Sequence, residues 1–102
     1  MAQVTIELEN HLAEKLNKLV SFFGDKETLF ASFIEYHKKK AEREISRMQQ
    51  DLDKFEEKYK MSSPIFFEQF ESGKLNDSHD FILWSGIYEM QLARKQKLQE
   101  LI

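Results

Sequence analysis

Residues 1–9 alternate between apolar and polar side chains, and this alternation predicts the first element of the chain. The two faces carry Val4, Ile6 and Leu8 on the apolar side and Gln3, Thr5 and Glu7 on the polar side. A period of two residues is typical of a half-buried β-strand. Because no second strand is predicted, the backbone groups of this strand would stay unpaired along both edges. Pairing with the same strand of a second copy satisfies them, so the pattern predicts a homodimer.

Two helices follow the predicted strand and are separated by a glycine. Asn10 is a favourable N-cap for the first helix, and Gly24 follows its last apolar residue, where glycine commonly ends a helix. Asp25 is the predicted N-cap of the second helix. The helices are expected to build a shared core with the apolar face of the strand, and its members are Leu16, Val20, Leu29, Phe33 and Ile34.

The second helix is predicted to be unusually long. No glycine or proline interrupts the chain between about Lys26 and Tyr59, which is far longer than the ~11–12 residues of an average helix. Its second half carries one apolar seam with heptad spacing, formed by Ala41, Ile45, Met48, Leu52, Phe55 and Tyr59. A narrow seam on an otherwise charged helix needs a helical partner. That partner is the other protomer, the chain's own last helix or another protein.

The C-terminal part of the chain predicts a tail of two shorter helices. Ser63 at the N-cap and Pro64 at the first helical position begin a short helix that Gly73 ends. The final helix begins at about His79. Six aromatic residues lie in this tail, namely Phe66, Phe67, Phe70, Phe81, Trp84 and Tyr88. They either pack on the seam as core or anchor a partner protein, since aromatic anchors dominate many binding interfaces.

Composition narrows the class of protein. The 102 residues form one domain or one domain with a tail, and the net charge is −3. Cysteine is absent, there is no signal-peptide pattern and no run approaches the length of a membrane helix. We therefore expect a cytoplasmic protein with no membrane contact. Nucleic-acid binders usually carry a basic surplus, so any DNA binding would depend on local geometry.

Catalytic and metal-binding patterns are weak. The adjacent residues Ser78, His79 and Asp80 include the residue types of a catalytic triad, but a triad is a spatial arrangement that neighbours in a turn do not form. His11 and His37 show no metal-ligand spacing, and three glycines form no phosphate-binding loop. We expect no enzymatic activity, no metal and no cofactor.

Residues 3–34 resemble the ribbon-helix-helix family of prokaryotic repressors and antitoxins. The resemblance is carried by the string from Gln3 to Leu8, an amphipathic helix through Phe23, and the turn Gly24-Asp25-Lys26-Glu27-Thr28 before an apolar helix. Residues 55–84 look like the tails of small antitoxins from toxin–antitoxin pairs. The resemblance implies a mainly α fold with one N-terminal β-strand, in which a ribbon-helix-helix dimer has a long second helix and a helical tail. Residues 1–40 would form the dimerisation and DNA-binding domain, and residues 41–102 the partner-binding extension.

The same resemblance implies where DNA would bind. Two paired strands would enter the major groove with Gln3, Thr5 and Glu7 facing the bases, where Gln and Thr side chains bond base edges. The start of the second helix would contact a phosphate, with Lys26 beside it. Glu7 and Asp25 depart from the family pattern because their charges oppose phosphate. The alternative is that the polar strand face is only the solvated side of a dimer ribbon.

The function implied is that of an antitoxin in a type II toxin–antitoxin pair. The tail residues Phe66, Phe67, Phe70, Phe81, Trp84 and Tyr88 would mask a cognate toxin, and the dimer would repress its own operon by binding operator DNA. The alternative is a dimeric helical protein-interaction module without DNA binding. The lysine run at residues 38–40 is either a solvated face or a contact with a phosphate, RNA or a toxin.

Overall fold

The computed structural model describes residues 1–102 and contains four α-helices. These are α1 (Asn10–Phe23), α2 (Lys26–Tyr59), α3 (Ser63–Glu71) and α4 (His79–Gln99). The chain divides into two compact units, which we call unit 1 (Met1–Tyr36) and unit 2 (His37–Ile102), and α2 contributes to both. The sequence placed the division after residue 40. The long uninterrupted second helix is confirmed, with the predicted bounds.

The predicted N-terminal β-strand is absent, and the ribbon-helix-helix fold that depends on it is therefore wrong for this structure. Residues 1–9 carry no regular secondary structure, and the protein is all-helical. The apolar side chains of the alternating pattern are exposed, Val4 by 85% and Ile6 by 63%. A strand is defined by backbone hydrogen bonds to a neighbour, and this chain contains no second extended segment that could supply them.

The turn between α1 and α2 follows local capping chemistry. Gly24 has a φ of +94°, and its N–H donates to the Val20 carbonyl at 3.0 Å, which confirms it as the residue that ends α1. Asp25 Oδ1 accepts the N–H of Thr28 at 2.7 Å, so the predicted cap of α2 is also confirmed. At the start of α1 the prediction is wrong by one residue. Glu9 is the N-cap and accepts the Leu12 N–H at 2.7 Å, whereas Asn10 is already helical.

Unit 2 has its own small hydrophobic core where the seam of α2 meets the tail. Leu52, Phe66 and Trp84 are buried at its centre. Around them pack partly buried side chains, which include Phe55, Tyr59, Met61, Phe67, Phe70, Leu75, Phe81, Ile87 and Tyr88. Of the three partners that the sequence left open for the seam, the chain's own tail is the one that the structure pairs with it.

The start of α3 differs from the sequence prediction. Ser62 is the N-cap, and Ser63 is the first residue of the helix instead of its cap. The Ser63 N–H donates to Glu56 Oε2 at 2.7 Å, so a carboxylate from α2 satisfies a free amide at this helix start. Because Ser63 is buried inside the unit, its hydroxyl is available to the core instead of to its own helix.

Candidate binding surfaces

Unit 1 leaves most of its apolar side chains uncovered. Among its 36 residues only Leu29 is buried, with 5% of its surface exposed. A groove runs between α1 and the start of α2, and its walls are Leu8, Leu12, Leu16, Leu19, Phe30 and Phe33. All these side chains are hydrocarbon, so this groove is suited to an apolar side chain or to the apolar face of another helix. We call it the apolar groove.

A second concave surface lies between the N-terminal segment and α2 in the same unit. Its lining includes Val4, Ile6, Phe30 and Ile34. The predicted core residues Phe33 and Ile34 are about half exposed, at 56% and 49%, and Leu16 and Val20 are partly buried. Of the residues predicted to form a shared core, Leu16, Leu29 and Phe33 line the apolar groove and Ile34 lines the second surface, and only Leu29 is buried within the single chain.

The four predicted DNA-contacting residues, Gln3, Thr5, Glu7 and Lys26, are all exposed. The helix start beside Lys26 carries a carboxylate of its own. Asp25 accepts the Thr28 N–H at 2.7 Å and the Thr28 hydroxyl at 2.9 Å, and the bond from the Thr28 N–H holds the pKa of Asp25 below its usual value. An ionised carboxylate therefore occupies the position where a phosphate would approach these amides.

The six predicted partner-contacting aromatics pack together inside unit 2. Phe66 and Trp84 have no exposed surface, and their rings stack with centroids 3.7 Å apart at an interplanar angle of 3°. Phe67 packs against Tyr88 at 5.0 Å. The others are partly exposed and belong to the same cluster, namely Phe70 and Phe81. In folded unit 2, Phe66 and Trp84 are therefore core residues that a partner does not contact.

Other apolar residues of unit 2 face solvent, although none of them is among the residues predicted from the sequence to contact a partner. On α4 these are Ile82, Leu83 and Met90, and on α3 it is Ile65. Ile82 and Met90 are eight residues apart, so they lie on one side of the helix. This spacing could have identified them from the sequence. A helix that carries apolar residues on a second side is expected to bury that side against a second partner.

A polar cluster connects the end of α2 to the start of α4. Asp80 accepts hydrogen bonds from Lys58 Nζ at 2.7 Å and from the Tyr59 hydroxyl at 2.5 Å. The bond from Lys58, and after it the bond from Tyr59, lowers the pKa of Asp80. In turn, the hydrogen bond to Asp80 raises the pKa of Lys58 and that of Tyr59. Ser78 caps α4 by accepting the Phe81 N–H at 3.2 Å. Ser78 and Asp80 thus have structural bonds, and no hydrogen bond joins either of them to His79.

No group of three or more His, Cys, Asp or Glu side chains is positioned to hold a metal ion. No helix combines the length and the apolar character required to cross a bilayer. Comparison of the chain with protein-family models, with curated proteins and with solved structures finds no match.

Proposed function

We propose that this protein is the antitoxin of a type II toxin–antitoxin pair and that it neutralises its cognate toxin by direct binding as a homodimer. The exposed apolar surface of unit 1, where a single residue of 36 is buried, carries the homodimer, and the exposed Ile82 and Met90 of α4 carry the toxin contact. A surface of this kind serves binding. The resemblance of residues 55–84 to the tails of small antitoxins supplies the class of partner.

The homodimer is supported by the size of unit 1. A unit of fewer than about 40 residues rarely folds without disulfides, metals or oligomerisation, and the chain has no cysteine. Covering half-exposed Leu12, Leu19, Phe33 and Ile34 contributes about 3–6 kcal/mol per protomer, at half of the ~1.5–3 kcal/mol for each complete burial. A second copy of the chain presents the same hydrocarbon surface and is present wherever the first copy is. We therefore assign a second copy as the occupant of the apolar groove.

Sedimentation equilibrium tests the homodimer directly. We expect a dimer at micromolar concentration and a monomer for Phe33→Glu, because that substitution places a charge in the groove. Phe22→Glu is the matched control, since Phe22 is 85% exposed and does not line the groove. A folded monomer for the unmodified chain, or equal dissociation by both variants, contradicts the assignment.

Toxin contact is assigned to exposed residues of α4, since the aromatic core of unit 2 is inaccessible. Ile82 and Met90 are both more than half exposed and lie on one side of the helix. The charges around the core also suit such a partner: residues 48–91 carry nine acidic and four basic side chains. An acidic surface speeds encounter with the basic cleft of a nuclease toxin.

Co-expression with the product of the neighbouring open reading frame tests neutralisation. We expect the unmodified chain to restore growth and to co-purify with that product, and Ile82→Glu/Met90→Glu to lose both. Gln96→Glu/Gln99→Glu is the control, because it adds the same charge to exposed positions nearer the end of α4. If the product of the neighbouring reading frame is not toxic, the antitoxin proposal is wrong. If the α4 variant still neutralises that product, the assignment of the toxin contact to α4 is wrong.

Autorepression of the operon is the second part of the proposal. Its support is that Gln3 and Thr5 are exposed and are residue types able to bond base edges, although no paired strands present them to the major groove. A dimeric interaction module without DNA binding is the competing function, and the bonded carboxylate of Asp25 at the start of α2 favours it. A mobility shift on the protein's own promoter decides between them. Binding abolished by Gln3→Ala/Thr5→Ala supports repression through these residues, and no shift at low salt supports the competing function.

A further inference from the structure

Charge is unevenly distributed within unit 2, although the whole chain is acidic. Residues 37–47 and 92–102 together carry eight Lys and Arg against three Asp and Glu, whereas residues 48–91 carry four against nine. The two basic segments are separated by more than forty residues in the sequence. They come together only through the pairing of α2 with α4.

Specific contacts hold the two basic segments side by side. The Gln91 amide of α4 donates to the Ile45 carbonyl at 3.3 Å and to Gln49 Oε1 at 3.0 Å. One turn further along α4, Arg94 pairs with Glu44. The last turns of α4 therefore lie beside residues 37–47 of α2. Between them is a groove whose lining is mixed, namely His37, Lys40, Ala41, Glu44, Arg94, Lys97, Leu98 and Leu101.

A second row of cations lies on α2 itself. Lys39, Arg43 and Arg47 are exposed and succeed each other at four-residue steps, which places them about 6 Å apart along one side of the helix. The seam residues that pack into unit 2 lie on the opposite side of the same helix. We define the basic surface as this row, Lys39, Arg43 and Arg47.

The composition of this surface decides between classes of partner. The row on α2 includes the acidic Glu42 and the polar Ser46 but no apolar side chain. Protein–protein interfaces have an apolar core with few charges. Interfaces with nucleic acid are polar and strongly positive, because Lys and Arg neutralise phosphates and release counterions. We propose that the basic surface binds the phosphate backbone of nucleic acid. This site is separate from Gln3 and Thr5 and does not depend on toxin neutralisation.

Fluorescence anisotropy with a mixed-sequence DNA duplex and a single-stranded RNA tests the proposal on the full chain. We expect binding that weakens steeply between about 50 and 200 mM salt, since each phosphate contact adds to the salt dependence. Arg43→Glu/Arg47→Glu is expected to weaken binding at least tenfold. It is also expected to reduce the slope of log K against log salt concentration by about two, because two phosphate contacts are lost. Lys15→Glu/Lys18→Glu, which changes the net charge equally in unit 1, is expected to change affinity less than about twofold.

Every outcome of this experiment bears on the assignment. The relative affinities of the duplex and the RNA identify which nucleic acid is preferred, and either supports the proposal. No binding at about 50 mM salt, equal losses in the two variants, or binding to polyglutamate as tight as to DNA overturns it. Trp84 fluorescence melts of each variant confirm that unit 2 is folded. Since growth rescue by Arg43→Glu/Arg47→Glu is read separately, failure here is distinguishable from failure of the antitoxin proposal.

Discussion

The indole N–H of Trp84 donates a 2.9 Å hydrogen bond to the hydroxyl oxygen of Ser63, and both side chains are buried. The ring face of the same indole stacks on Phe66, 3.7 Å away, and also on Phe55, 5.5 Å away. Ser63 and Phe66 belong to α3, and Phe55 belongs to α2. One tryptophan on α4 is therefore in contact with both other helices of unit 2, through its polar atom and through its ring.

Removing the acceptor of this bond should destabilise unit 2. Ser63→Ala leaves the buried indole N–H without a partner, so we expect the free energy of unfolding to fall by about 1–3 kcal/mol. Urea denaturation followed by the fluorescence of Trp84, the single tryptophan, measures it. Ser62→Ala is the control, because Ser62 is exposed and its side chain makes no capping bond. A similar loss in both variants would show that the buried bond contributes little.

Gln91 and Gln49 should be energetically coupled. Gln91 is 2% exposed and donates to both Gln49 and the Ile45 carbonyl. Gln49→Leu removes one acceptor from a buried amide, while Gln49→Leu/Gln91→Leu removes the polar pair altogether. We expect the double variant to be more stable than the sum of the single effects predicts, by about 0.5–1.5 kcal/mol. A double-mutant cycle in urea measures this coupling, and strictly additive effects would contradict it.

The Asp80 cluster should make stability depend on acid pH. Hydrogen bonds from Lys58 and then Tyr59 lower the pKa of Asp80 in the folded state. Its contribution is therefore present above the unfolded value of 3.8 and is lost as pH falls through the lower folded pKa. We expect the stability difference between the unmodified chain and Asp80→Asn to shrink below about pH 4.

Thermal melts across that pH range provide the measurement for Asp80. Asp77→Asn serves as the matched control, since Asp77 lies exposed in the linker just before α4. Its difference from the unmodified chain is expected to stay constant over the same range. If the Asp80→Asn difference is also constant, the bonds to Lys58 and Tyr59 do not stabilise the carboxylate over the neutral acid.

Lys60 should be a site for stabilisation. It follows α2 with a φ of +54°, the only positive φ outside glycine, and this left-handed conformation costs an L-residue about 1–2 kcal/mol. Glycine avoids that cost, but it is more flexible in the unfolded chain, and this flexibility lowers the free energy of unfolding by about 0.4–1 kcal/mol. We expect Lys60→Gly to stabilise unit 2 by about 0.5–1 kcal/mol.

The control for Lys60 is Lys54→Gly, which removes the same side chain inside α2. It is expected to destabilise by about 1 kcal/mol, as glycine does in a helix interior. Chemical denaturation of the two variants should therefore move in opposite directions. Equal destabilisation would mean that the Lys60 side chain contributes more than its backbone strain costs.

Local chemistry made several elements predictable. Gly24 and Asp25 end one helix and begin the next through bonds to Val20 and Thr28, all within four residues in sequence. The span of α2 was equally predictable, because nothing between Lys26 and Tyr59 interrupts helical hydrogen bonding. The heptad seam was visible for the same reason, since it is a property of one helix.

The elements that failed depend on partners distant in sequence. Period-two alternation in residues 1–9 indicates a strand, but a strand exists only with a neighbour that supplies its hydrogen bonds, and the single chain has none. Ser63 was predicted as a cap because serine favours that role. Ser63 is instead buried beside Trp84, twenty-one residues away in sequence, and its hydroxyl accepts the indole N–H.

By itself the sequence determined the helices, their separating turns and an apolar seam that needed covering, because these follow from residues near one another along the chain. Only the tertiary structure decided that the tail covers the seam, that Phe66 and Trp84 are core, and that two basic segments lie side by side. A seam of apolar side chains fits many helices equally well. The choice among them depends on matching shapes and hydrogen bonds between residues far apart in sequence, such as Gln91 with Ile45.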